Sequence, residues 1–211
     1  MLMKYPKTMH LPWSRSYTDD DKILRDVKAF EGKEVVVTEK MDGENTTMYL
    51  DYIHARSIDS KDHLSRHVVK TIHAGIKYRI PEGFRLCGEN VYAKHSIRYE
   101  QLPSYFMLFS IWDDRNVCLS WGDTEALAEE LGLPTVPVLY RGPWDETLIR
   151  QECYTGKSVC GGEQEGYVVR LADAFPYDEF KQSLAKFVRK NHVQTDEHWL
   201  SKPVEPNGLA K

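Results

Sequence analysis

The chain has 211 residues, 41% of them apolar and 11% aromatic, with 28 Lys and Arg against 32 Asp and Glu for a formal charge of −4. That length and apolar content suffice for a real core in one large domain or two small ones, and point to a folded, soluble protein. The acidic balance gives no overall attraction to a polyanion, so nucleic-acid binding would need a local basic face. Cys87, Cys118, Cys153 and Cys160 stand singly without a C-x-x-C pair, and the eight histidines show no zinc-ligand spacing, so reduced thiols and no structural zinc are expected. No apolar leader and no run of roughly 18 apolar residues occurs, which makes a cytoplasmic protein without a membrane partner the default.

In chain order, "SYTDDDKILRDVKAFEGK" reads as a short helix: Thr18 and Asp21 resemble a capping box, and Ile23, Leu24, Val27 and Phe30 recur at helical spacing. Glu34 to Glu39 reads as a strand around the buried run Val35, Val36 and Val37, with "MDGEN" as a turn and "TTMYLDYIHARS" as its return strand. Leu64, Val68, Ile72 and Ile76 trace the stripe of an amphipathic helix that Pro81 and Gly83 close. "FRLCGENVYA" and "SYFMLFSIWDD" give two more strands, and "DTEALAEELG" a helix with Asp123 as N-cap and Gly132 past its end. "TVPVLYRG", "EGYVVRL" and "LAKFVRK" supply the last strands. Without repeats or a long linker, the expectation is one α+β domain over residues 1–211 with largely antiparallel sheets.

Alone, "KMDGEN" is an ordinary charged turn. Three later stretches change its meaning: "LCGENVY" sets Glu89 at a strand end, "QEGYVVR" sets Glu165 at a strand start, and "AKFVRK" sets Lys186, Arg189 and Lys190 in an apolar strand. This order, K-x-D-G-x-N, G-E, an aromatic strand, E-G-Y-V-V-R and a lysine-bearing strand, resembles the covalent nucleotidyltransferases: ATP-dependent polynucleotide ligases and mRNA capping enzymes. Within them it is most similar to RNA ligases of the RNA ligase 2 type, from about Lys40 to Lys190.

The resemblance implies a nucleotidyltransferase fold, ATP-grasp-like, of mostly antiparallel sheets flanked by helices with the active site between them. It implies RNA repair chemistry: a 5′-phosphate joined to a 3′-hydroxyl through a lysine-linked adenylate and an adenylated RNA end, with ATP and Mg²⁺ or Mn²⁺. Lys40 would be the adenylated nucleophile. Glu39 and Asn45 would contact the nucleotide, Arg56 the ribose or phosphates, Glu89 the ribose or metal-bound water, and Glu165 the metal.

The residue chemistry is consistent with that reaction. Neutralising a free lysine at pH 7 costs on the order of 4 to 5 kcal/mol, so a nucleophilic Lys40 needs desolvation at its strand end, a divalent cation or a second lysine. Lys186 and Lys190 are candidates for that lysine and for holding the triphosphate during in-line attack. Glu89 and Glu165 suit a hard cation that takes one or two carboxylates.

For adenine stacking, Phe109 is the first choice by resemblance and Phe106 the second, although alternate aromatics on a strand are commonly core. Two departures stand out: Ser110 follows Phe109 where the family usually has Asp, leaving Asp113 as a substitute, and the last motif's lysines are spaced apart. Strand alternation puts Lys186 and Lys190 on one face and Arg189 on the other, which favours the two lysines as the pair, while an irregular strand would let Arg189 substitute. Lys94, His95 and Arg98, with Tyr92 and Tyr99 between, form a basic and aromatic run suited to RNA, and His192 and His198 offer a second one.

Only 25 residues follow Lys186, fewer than a domain of about 50 residues requires, so no C-terminal OB or helical domain is expected within the chain. The chain would be a minimal ligase, an excised portion of one, or a module using a separate RNA-docking protein or domain at RNA ends. Two alternatives remain: a nucleotide or RNA-end binding module without turnover, and a DNA-joining ligase with the same first step.

Overall fold

The structure is a computed structural model that describes residues 2–190, 192 and 203–211. The strands are β1 (Met9–His10), β2 (Glu34–Lys40), β3 (Glu44–Met48), β4 (Ile53–Ala55), β5 (Arg85–Asn90), β6 (Phe106–Trp112), β7 (Val117–Cys118), β8 (Val138–Pro143), β9 (Gly166–Leu171), β10 (Phe175–Pro176) and β11 (Leu184–Val188). The helices are α1 (His67–Ile76), α2 (Trp121–Leu131), α3 (Glu146–Glu152) and α4 (Phe180–Ser183). They make an α+β fold of two sheets, ordered β1-β11-β9-β2-β8 and β10-β7-β6-β5-β3-β4. Every strand pairing is antiparallel except the parallel one between β1 and β11.

The run Val35-Val36-Val37 is continuous because β2 is covered on both faces. Val35 and Val37 pack with Trp112, Tyr167 and Val169, while Val36 packs with Met41, Tyr99 and Trp121 in a separate cluster. Central position explains the β-branched choice, since a strand buried on both sides has no polar face to alternate with.

Four expectations are corrected. Residues 44–55 are not the return strand of β2; they form the β3–β4 hairpin in the other sheet, with β3 paired to β5. The chain therefore crosses between sheets at Met41–Gly43, directly after Lys40. The segment after Thr18 is not a helix: Asp21 does accept from the Thr18 N–H at 2.9 Å, but the chain then runs extended so that Ile23 bridges His10. Long-range pairing with β1 overrides the local helical pattern. In α1 the buried face is Val69, His73 and Ile76, whereas Leu64 is 66% exposed, so the stripe is rotated from the expected one. Finally, α2 starts earlier than Asp123. Ser120 is its N-cap, accepting from the Asp123 N–H at 3.1 Å and donating to the Asp123 carboxylate at 2.6 Å, and left-handed Gly132 ends it.

Candidate active site

A cavity of about 790 Å³ is lined by residues of both sheets. Along β2, β9 and β11 the register places Thr38 opposite Val168 and Val168 opposite Lys186. Side-chain alternation then puts Thr38, Lys40, Val168 and Lys186 on one face, and all four line the cavity. Gly166 sits between Lys40 and Val188 in these ladders, and a β-carbon there would lie 1.9 Å from the Phe187 carbonyl oxygen. Only glycine lets β9 and β11 approach this closely, which accounts for the glycine after Glu165.

Lys40 Nζ lies 2.7 Å from Glu165 Oε1. Burial disfavours its ammonium, but the charges of Glu165 and Glu89 outweigh that and raise its pKa above the ordinary lysine value. Desolvation at the strand end acts in the expected direction, but three acids, Glu165, Glu89 and Asp42, act on one lysine and reverse the net effect. Lys186 behaves oppposite in sign: burial and the Lys40 charge bring it down to about 8, against the opposing pull of Asp21 and Glu165.

The acids differ among themselves. Burial pushes the Glu89 carboxyl up to about 8, beyond what the Lys40 charge offsets. It accepts from the Gly43 N–H at 3.2 Å. Asp42 is clamped by the Ser96 N–H (2.9 Å), the Ser96 hydroxyl (2.7 Å) and the Ile97 N–H (2.8 Å), all on Oδ2. Its Oδ1 lies 3.8 Å from His192 Nε2, which in turn lies 3.2 Å from Glu165 Oε1.

One ligand atom from each of Asp42, Glu165 and His192 falls within 4.8 Å of the others. Glu165 Oε2 is buried with no hydrogen-bond partner among the described residues. Two carboxylates and an imidazole around an unsatisfied buried oxygen fit Mg²⁺ or Mn²⁺. This candidate cluster shares Glu165 with the expected metal pair, and Glu89 lines the same cavity.

Of the sequence-predicted residues, Glu39, Lys40, Asn45, Arg56, Glu89, Phe109, Glu165 and Lys186 all line the cavity, as do Lys94 and His95. Glu39 accepts from the Val159 N–H at 3.0 Å, while its Oε1, like Asn45 Oδ1, is buried without a partner among the described residues. Phe109 packs edge-on against Tyr5 with centroids 5.2 Å apart. Phe106 is fully buried among Met48, Leu86 and Leu108, as core aromatics are.

Other residues are placed elsewhere. β11 ends at Val188, so Lys190 lies past the strand, exposed and outside the lining, and the alternation expected to pair it with Lys186 stops short. Arg189 Nη2 donates to Glu163 at 2.6 Å and also does not line the cavity. Arg98 is exposed away from it, and Tyr99 is core, its hydroxyl accepting from the Asp42 N–H at 2.8 Å. Ser110 is buried beside Trp112, and Asp113 fastens the turn before β7 through the Arg115 and Val117 N–H groups, so neither lines the cavity. His198 lies outside the described residues.

Sequence reasoning missed three parts of this site. Asp42 stands in the quoted K-x-D-G turn, but nothing local shows that it clamps residues 96–97. Tyr5, Lys7 and Thr8 come from the N-terminal segment. Pro203, Val204 and Glu205 come from the C-terminal one, held by Asn207, which donates to the Val91 carbonyl and accepts from the Tyr99 N–H, each at 2.9 Å. Glu205 faces Lys94 at 3.2 Å.

Two sheets around a lysine-bearing cavity define a nucleotidyltransferase fold of the RNA ligase kind. The chain belongs to the RNA ligase family, whose profile matches residues 33–188. Among solved structures it is similar to a Naegleria gruberi RNA ligase with PPi (22% identity, TM-score 0.59, covering 77% of this chain and 51% of that one). A mutant of that ligase with ATP and Mn gives 20% identity, TM-score 0.56 and the same coverage, 77% and 51%. Another, also with ATP and Mn, gives 18% identity and TM-score 0.57 over 88% of this chain and 60% of that one. The chain thus spans between half and three-fifths of the length of those ligases. No curated protein matches. Among the described residues, no helix is long and apolar enough to cross a membrane.

Proposed function

We propose that the chain is an ATP-dependent RNA ligase acting through its own adenylylated lysine, joining 5′-phosphate and 3′-hydroxyl RNA ends. The observation that supports it is convergence on Lys40: a lysine at a strand end, in a cavity of nucleotide size, with Glu165 at 2.7 Å and Lys186, Asn45, Glu89 and Phe109 on the same walls. In the first step Lys40 Nζ releases its proton to solvent and, as the neutral amine, attacks the α-phosphorus of ATP. An N–P bond forms, the bond to the bridging oxygen breaks, and pyrophosphate leaves with the electron pair. AMP then passes to an RNA 5′-phosphate, and a 3′-hydroxyl displaces it to seal the strand.

The residues divide this work. Phe109 offers a ring to the adenine, and the unpartnered Glu39 Oε1 and Asn45 Oδ1 are free to accept hydrogen bonds from the nucleotide. Lys186 and Arg56 face the phosphates. Glu165, nearest to the Lys40 ammonium, keeps it protonated before reaction, so attack requires that the surrounding negative charge be cancelled. Asp42, Glu165 and His192 would hold Mg²⁺ or Mn²⁺, which when bound supplies that cancellation and neutralises phosphate oxygens.

Protein first stripped of bound AMP is incubated with ATP and Mg²⁺ or Mn²⁺ and weighed intact. A gain of one AMP is expected for the native chain and none for Lys40→Ala. No adduct on the native chain would leave a nucleotide or RNA-end binding module without turnover. Nicks carrying RNA or DNA at the 3′-hydroxyl side then test the substrate, and equal sealing of all-DNA nicks would make it a DNA-joining enzyme.

A further inference from the structure

Beyond Arg56, neither Arg189 nor Lys190 adds a cation beside Lys186: one is tied to Glu163 and the other lies outside the lining. The N-terminal segment, outside the residues 33–188 that match the family, brings a different one. Parallel pairing sets Met9 beside Ala185 and His10 beside Lys186, and the chain just before β1 runs along the cavity. There Lys7 Nζ lies 3.5 Å from Asp21 Oδ1, and Lys186 Nζ lies 3.8 Å from the same oxygen.

We propose that Lys7 is the second phosphate-binding cation of the site, held next to Lys186 by Asp21 and directed at the two phosphates of ATP that leave as pyrophosphate. This rests on the reading of the cavity as an adenylylation site. Three observations support it. First, both ammonium groups reach one carboxylate oxygen, so they stand no further apart than those two contacts combined, a span a diphosphate can bridge.

Second, the charges around Asp21 favour it. Asp21 alone would cancel Lys186, and Glu165 already cancels Lys40; with Lys7 the trio keeps a net positive charge toward a polyanion. Asp21 does remain ionised, because the Thr18 N–H hydrogen bond and the Lys186 charge outweigh burial and hold it at about 2. Third, the anchor is fixed while the lysine can move. Asp21 is only 4% exposed, and its Oδ2 accepts from both the N–H and the hydroxyl of Thr18 at 2.9 and 3.0 Å. Lys7 is 43% exposed and donates to the Asp20 carbonyl at 2.6 Å, a contact it can exchange for a phosphate oxygen. Asp21 is then a positioning residue, acting through the two lysines.

The test is equilibrium binding of ATP and of AMP to native protein, Lys7→Ala and Lys7→Arg, without divalent cation so that no transfer occurs. AMP lacks the two phosphates concerned. Lys7→Ala should weaken ATP roughly tenfold while AMP changes less than about twofold, and Lys7→Arg should restore most of the ATP affinity. Equal loss for ATP and AMP, or no loss for ATP, overturns the proposal. So does a loss confined to a 5′-phosphorylated RNA strand, which would assign Lys7 to RNA. Because no transfer step is read, this ratio stands apart from the adduct test: a native chain that forms no adduct sinks the ligase reading, whereas an adduct-forming chain with an unchanged ratio sinks this one.

Discussion

Lys40 and Lys186 share one face of one sheet, yet their surroundings drive them in opposite directions. Around Lys40 stand three acids, with Glu165 at 2.7 Å, and its ammonium is held above the ordinary range. Around Lys186 stand Lys40 and Arg56 against a more distant Asp21 at 3.8 Å, and it falls to about 8. Burial acts on both alike; what separates them is the number and distance of carboxylates. In the ligase reading, the nucleophile is the lysine kept protonated until the charge beside it is cancelled. The phosphate-facing lysine is the one already close to losing its proton.

The largest break in this contrast should come from Glu165→Gln, which removes the nearest charge on Lys40 and a member of the metal-binding cluster. Adduct formation in a single turnover should fall about a thousandfold, roughly 4 kcal/mol. A fall of less than about threefold would mean that Glu165 does not govern Lys40.

At the Lys186 end, His10 is fully buried, and burial together with the Lys186 charge brings it down to about 4 despite the opposing Asp21. Its folded value lies below the unfolded one, so the native state binds fewer protons between them. The stability is complete above about pH 6.5 and lost as pH falls toward about 4, on the order of 3 kcal/mol in all. Denaturant titrations across that range should show the slope, and His10→Asn should flatten it.

A third experiment sharpens the comparison. If Lys186 titrates at about 8, ATP affinity should be level below that pH and weaken above it, by about tenfold once the cation is gone. Lys186→Arg, which stays charged, should remove the dependence. The smallest effect belongs to neither lysine: Phe109→Leu should cost ATP and AMP equally, about 1 kcal/mol, by removing a ring and leaving the charges alone.

The Lys40 end was the more legible in the sequence. The run Val35-Val36-Val37 announces a buried strand that ends at Lys40, and Glu89 and Glu165 each stand near a strand boundary between a glycine and an amide residue. The Lys186 end was not, because its partners are distant in the chain. Asp21 sits in a segment whose spacing suggests a helix, and Lys7 precedes a two-residue strand with no periodicity to detect. The same holds for Asp42, whose role depends on Ser96 and Ile97, and for His192. Lys190 was misplaced for a related reason: alternation assumes that a strand continues, and β11 stops two residues short of it.

The parallel pairing of β1 with β11 also bears on how the chain folds. The cavity is bounded by residues 5–8, by Lys186 and by residues 203–205, so its walls join segments from opposite ends of the sequence. Such contacts close large loops and form late, after the local hairpins. During synthesis the β3–β4 hairpin and the β5–β6 pair can assemble as they emerge, but the groups around Lys186 and Lys94 have to wait until residues 186–205 have been made. Nucleotide-binding competence should therefore appear at the end of folding, after most secondary structure, and a probe of ATP binding should lag behind one of strand formation.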